Sequence, residues 1–271
     1  MRSSLIRRTA VAASAVSFAL LVSACGGDKA ADGGDGGKGS GDKGAAAAPA
    51  AKVLTAAELE QAMLTQGDVP GHKISPAKAG DVGKPGDVTV DKQECLPLAH
   101  AASSIALGKP AADATRKVLE EAQKPSPGKS LADMTEKEME DALTSAFAVT
   151  VTVDKLAAYG GKGAEEAVAS LRAAGTACAG GFTVTQDGEQ TKILKVEEAK
   201  VSGGDEAGAW VLTAAAEEEG KTMSFKVAAV RQGTTVATFM SMNIGASMGG
   251  KDFPLPTAVI DAQVAKVAKV A

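Results

Sequence analysis

The run TMSFKVAAVRQGTTVATFMSMN, residues 222–243, decides how this chain folds. Met223, Phe225, Val227 and Ala229 alternate with other residues, and after Gln232-Gly233 so do Val236, Thr238, Met240 and Met242. A period of two on either side of a glycine turn is the signature of a β-hairpin with one buried face per strand. Working outward, residues 182–186, 190–201 and 207–216 read as three more strands, set apart by Asp187-Gly188, Gly203-Gly204 and Glu219-Gly220. The expected fold class is therefore α+β: an antiparallel meander of about five strands with helices packed on one face.

The helices lie upstream and at the C-terminus. Thr55 followed by Glu58 is a capping box, and Leu54 and Leu59 have the spacing of a hydrophobic staple. Gly67 is the expected stop of that helix. Residues around Ile74 read as extended, and 76–92 as a Pro/Gly-rich loop. Cys95 opens a short second helix with Pro97 in its first turn. Residues 110–124 read as a third helix through Val118, Leu119 and Ala122, and Thr135 with Glu138 starts a fourth along Met139, Ala142 and Leu143. Residues 145–153 switch to a β-branched strand, 164–176 return to helix, and Cys178 follows. After Pro254 and Pro256 a last helix presents Ile260, Val264, Val267 and Ala271.

Residues 1–24 combine Arg2, Arg7 and Arg8 with an apolar run, and Leu21-Val22-Ser23-Ala24-Cys25 has the form of a lipobox. The expected division is a lipoprotein signal peptide at 1–24, a lipidated Cys25 with a disordered Gly/Ala-rich tether over 25–52, and one globular α+β domain over 53–271. A tether of that composition reaches ~25–30 Å. The location implied is the extracytoplasmic face of the cell membrane, held by the lipid anchor. With Cys25 lipidated, Cys95 and Cys178 remain in an oxidising compartment, where they are expected to form one disulfide; the alternative is two separate buried thiols.

Loss of the three leader arginines from a total of 29 basic residues leaves 26 against 33 acidic ones, a net charge of −7. That balance excludes a phosphate-gripping surface, so no nucleic-acid partner is expected. One Trp, one Tyr and six Phe leave little for stacking on sugars or bases.

The order of helix, cysteine-bearing helix, strand, helix ending in cysteine, antiparallel meander and C-terminal helix resembles the extracytoplasmic sensor domain of actinobacterial serine/threonine kinases of the PknH type. Residues 59–71, Cys95-Leu96-Pro97-Leu98, residues 164–178 and the strands through Ala237 carry that resemblance. It implies a ligand-binding or sensing role without naming a ligand. Two departures stand out: this chain lacks the cysteines for that family's second disulfide, and residues 108–144 look like an insertion.

Catalytic motifs are matched in letters only. Gly245-Ala246-Ser247-Met248-Gly249 spells the nucleophile elbow of α/β-hydrolases, but the histidines, His72 and His100, both precede the serine; a flexible turn is expected there. Ser75 with Lys78 and Ser126 with Lys129 match SxxK without its companion elements. Gly128-Lys129-Ser130 and Gly220-Lys221-Thr222 imitate a phosphate loop whose first glycine is replaced by Gln123 and Ala215. No metal or other cofactor is expected. Met240, Met242 and Met248 are the one soft-ligand grouping, and filling an apolar face is the expected use of methionine there.

These readings converge on a non-enzymatic, membrane-anchored lipoprotein with a ligand-binding or sensing role. A protein-interaction module and a lipid carrier are the alternatives, so the expected ligand is a small molecule, a lipid or a protein. Ala-rich helices and strands fill space poorly, which makes a groove lined by Met223, Phe225, Met240 and Met242 the candidate site.

Overall fold

The 222–243 hairpin forms where its alternation places it, inside a larger sheet than the sequence suggests. The computed structural model describes residues 52–121, 134–139, 147–249 and 251–270. The lipobox with Cys25, the tether, residues 125–130, Ala122, Ala142, Leu143, Ser145, Ala146, Ala271 and the side chain of Met248 lie outside the described residues.

Among the described residues nine strands form one antiparallel sheet: β1 (His72–Pro76), β2 (Val88–Val90), β3 (Ala112–Glu120), β4 (Thr150–Ala158), β5 (Phe182–Gln186), β6 (Glu189–Ala199), β7 (Glu206–Ala215), β8 (Thr222–Gln232) and β9 (Thr235–Asn243). Their order is β1-β3-β4-β9-β8-β7-β6-β5-β2. The five expected strands are β5 to β9, each within two residues of its expected bounds. Asp187 and Gly188, both at positive φ, make the tight β5–β6 turn. The sheet thus exceeds the expected meander of about five by four strands, of which β4 corresponds to the separate strand expected at 145–153.

β3 is the sharpest correction. Residues 110–124 are rich in helix formers, yet 112–120 pair with β1 on one side and β4 on the other. Helix propensity differs by a few tenths of a kcal/mol per residue, and two flanking strands offering a full ladder of hydrogen bonds outweigh it. The same finding removes 112–120 from any insertion, since it is an interior strand. β2 lies within the expected 76–92 loop and gains its partner, β5, from nearly a hundred residues away. β4 begins at Thr150 rather than at 145 and continues through Asp154 and Lys155 to Ala158.

Helices cover both faces of the sheet, not one. α2 (Leu96–Ala102) and α3 (Gly163–Ala177) pack over Ala157, Trp210, Val227, Ala229 and Val236. α1 (Ala56–Ala62) and the C-terminal helix, Thr257–Val267, pack over Leu156, Ala158, Ala228, Val230, Ala237 and Phe239. The reason is visible in Val227-Ala228-Ala229-Val230, where apolar residues occupy odd and even positions alike, the pattern of a strand buried on both sides. The large odd-numbered side chains dominate the reading and hide the alanines between them.

Local signals hold. Thr55 and Glu58 form the capping box, and Leu54 and Leu59 are both buried. The helix ends at Ala62, before Gly67, because fully buried Gln263 accepts from the Leu64 N–H at 3.0 Å and donates to the Ala62 carbonyl at 2.8 Å. Thr135 and Glu138 also make their capping box, over helical residues 136–139, and Met139 there is exposed. Cys95 and Cys178 are joined in a disulfide that ties the turn before α2 to the end of α3, and both are fully buried. The Gly245-Ala246-Ser247-Met248-Gly249 stretch is not a turn but lies in a short helix, α4 (Ile244–Gly249); Asn243 at its start accepts from the Ala246 N–H at 2.9 Å. The C-terminal helix is accordingly α5.

Candidate functional site

Two sheet strands and one helix build a concave surface. β6, continuing as residues 200–202, runs beside β7 with Ala199 opposite Ala209. α5 packs chiefly over β8, β9 and α1, and a groove lies between it and the β6–β7 flank. Alanines at 199 and 207 line that side with short side chains and leave space beside the helix. The Gly203-Gly204 turn then returns the chain against β8, and a side chain at Gly204 would collide with the Arg231 carbonyl.

The resulting groove has a volume of about 770 Å³ and opens along one side. Ala199, Val201, Ala207 and buried Ile260 give it an apolar floor and wall, while Glu198, Lys200, Ser202, Thr257 and Asp261 stand exposed at its rim. Such a surface can hold an elongated apolar group along the floor and exchange hydrogen bonds and charge with a polar end. Among the described residues that line it, no hydroxyl is hydrogen-bonded to a carboxylate or a lysine. Beside the groove, Arg172 donates to the Ala207 carbonyl at 3.0 Å and meets Glu206 at 3.4 Å, and Arg231 meets Glu206 at 2.9 Å and Asp205 at 3.2 Å. These pairs fix the start of β7. Lys52 joins the domain at the same end of the sheet, where Thr234 Oγ1 donates to its carbonyl.

The methionine cluster lies elsewhere. Phe225 pairs with Met242 and Val227 with Met240, so Met223, Phe225, Met240 and Met242 share one sheet face, the α3 side, far along the strands from the groove. All four are half-buried and none lines the groove. Their shared face follows from the alternation of the two strands, and the groove lies among smaller side chains, Ala199 and Ala207. Ala207, already marked by its alanine-rich strand, was the available signal for it.

The interior also holds charged groups that the sequence reading did not single out. Lys155, buried on the α3 side, is bonded to Asp113 at 2.6 Å and Thr115 at 2.8 Å. Lys226 meets Asp252 at 2.9 Å and lies over the Phe253 ring. Asp154, on the α1 side, is fully buried, and neither carboxyl oxygen has a hydrogen-bond partner. Burial pushes its pKa well above the ordinary carboxylate value, and Arg116 opposes that rise. An acid inside a β-branched run was its only trace in the sequence.

No protein-family profile matches the chain, and neither does any curated protein. Among solved structures the chain is similar to the extracellular domain of PknH from Mycobacterium tuberculosis, at 13% identity, with 80% of this chain and 96% of that one covered and a TM-score of 0.45.

Proposed function

We propose that this chain is an extracytoplasmic lipoprotein that binds a small amphiphilic ligand, without transforming it, in the groove between β6–β7 and α5. The observation that carries this reading is the groove itself: an alanine and isoleucine floor bounded by two acids, one lysine and two hydroxyls. An apolar chain removed from water there gains roughly 25 cal/mol per Å² of buried surface, while the rim selects the polar end. Anchoring through Cys25 keeps such a protein at the membrane, where amphiphiles are most concentrated.

Native mass spectrometry of protein recovered from its own cell envelope is the test. The wild-type chain carries an added mass; Ala207→Trp, which fills the groove, loses it while unfolding at the same temperature. A wild-type protein free of added mass across several growth conditions would sink the reading. The anchor is tested separately, because Cys25→Ser leaves an unlipidated precursor.

A second reading, a protein-interaction module, is favoured by exposed Phe147 and Ile244. Their segments are tied together by the Gly245 N–H to Phe147 carbonyl bond at 2.8 Å, which brings two apolar side chains to one end of the sheet.

A further inference from the structure

In the β3–β4 register Arg116 stands directly opposite Asp154, on the sheet face covered by α1 and α5. Residues so placed across an antiparallel pair have side chains within reach of each other. Yet Arg116 turns away. Its Nη2 meets Glu60 Oε2 of α1 at 2.6 Å and its Nη1 donates to the Thr115 carbonyl at 3.2 Å, which leaves the buried carboxyl beside it bare.

The pairing is the reverse of what two ionised carboxylates would dictate. Glu60, half exposed, has water as an alternative partner; Asp154 has none. A charged Asp154 without hydrogen bonds would be penalised steeply in this interior, whereas a protonated one tolerates the absence of a cation. The arrangement is that of a neutral acid whose arginine has been released to a helix.

We propose that Asp154, Arg116 and Glu60 form a proton-operated latch: while Asp154 keeps its proton, Arg116 ties α1 to β3 through Glu60, and when the proton leaves to solvent, Arg116 turns inward to the carboxylate and frees Glu60. The surrounding charges are committed elsewhere. On α1, Glu58 is paired with Lys52 at 2.7 Å; on α5, Lys266 is paired with Asp68 at 2.7 Å and Asp261 faces the groove. On β9, Phe239 lies opposite Asp154, and farther along the same face Lys226 is paired with Asp252. On β1, Pro76 lies opposite Arg116, and His72 sits opposite Glu120, at the far end of β3. Arg116 is therefore the cation that an ionised Asp154 would recruit. Gln263 bonds the end of α1 to α5, which carries one wall of the groove; the latch itself requires no ligand.

Carboxyl and arginine side-chain NMR of the mature chain, followed from about pH 5 to about pH 9, tests the latch. The Asp154 carboxyl signal titrates above the ordinary carboxylate range, and the Arg116 Nε–H and Glu60 carboxyl signals shift with the same midpoint. In Asp154→Asn both of those shifts vanish. In Glu60→Gln, a change at an exposed site that leaves the core intact, the Asp154 midpoint falls, since Arg116 no longer has a competing partner. Titration of Asp154 with Arg116 unmoved, or a midpoint indifferent to Glu60→Gln, would overturn the proposal. Should Asp154→Asn fail to fold, the Glu60→Gln arm alone decides.

Discussion

Trp210 lies against Gly175: a Cβ added at that glycine would collide with the indole Nε1, so the helix backbone of α3 rests directly on the ring. On the strand, Gly208 leaves room for the same ring, as a side chain there would come within 2.7 Å of its outer edge. One large side chain thus fills the space that two glycines leave, and it sets how closely α3 approaches β7.

Gly175→Ala consequently runs against helix propensity. In an open helix the change would stabilise by about 1 kcal/mol; here the collision costs about 1–3 kcal/mol and should prevail. Thermal unfolding followed by the fluorescence of Trp210, the sole tryptophan, reports both the lower midpoint and the displaced ring. A raised midpoint would show that α3 yields freely.

Gln263→Met keeps the side-chain length and removes both hydrogen bonds at the end of α1. The Leu64 N–H and Ala62 carbonyl are then left buried and unpaired, at about 1–3 kcal/mol each. For a domain of this size each kcal/mol lowers Tm by about 2–4 °C. Amide exchange should rise first at residues 62–64.

Reduction of Cys95–Cys178 frees a loop spanning 83 positions. The chain-entropy model assigns on the order of 4 kcal/mol to that closure, so the double variant Cys95→Ala, Cys178→Ala should unfold well below the oxidised protein in urea. Non-reducing peptide mapping should recover the two cysteines in one linked fragment.

Asp154→Asn should stabilise the fold at neutral pH and change little in acid. With a folded pKa raised by burial, Asp154 contributes stability that is fully present below its unfolded value near 3.8 and is lost as pH rises through the folded value. The Tm difference between variant and wild type should therefore grow from the acid side upward and level off once the folded acid has ionised. Asp68 behaves oppositely. Its pKa, held down to about 2 by Lys266 and then by the Thr65 N–H, contributes stability that is lost as pH falls from about 3.8 toward 2. A variant whose stability tracked wild type at every pH would show that Asp154 ionises freely in the fold.

What the sequence by itself determined are features whose causes lie within a few residues. The period of two in 222–243, the Asp187-Gly188 turn and the Thr55–Glu58 capping box are set by sterics and short hydrogen bonds, and each is found in place. The Cys95–Cys178 pairing, expected on the reading that Cys25 is lipidated and with two separate buried thiols as the alternative, is present. What only the tertiary structure decided depends on partners distant in the chain. Residues 112–120 are a strand because β1 and β4 flank them, against their own helical composition. Ala228 and Ala237 are core because α1 and α5 cover a face whose small side chains give little signal. Gln263 is buried because it bonds two groups some two hundred residues away. The groove exists because α5 stops short of alanines 199 and 207, and Asp154 is bare because Arg116 has turned to Glu60. A linear pattern records which residues prefer water and which do not; which of them meet across the fold is settled by packing.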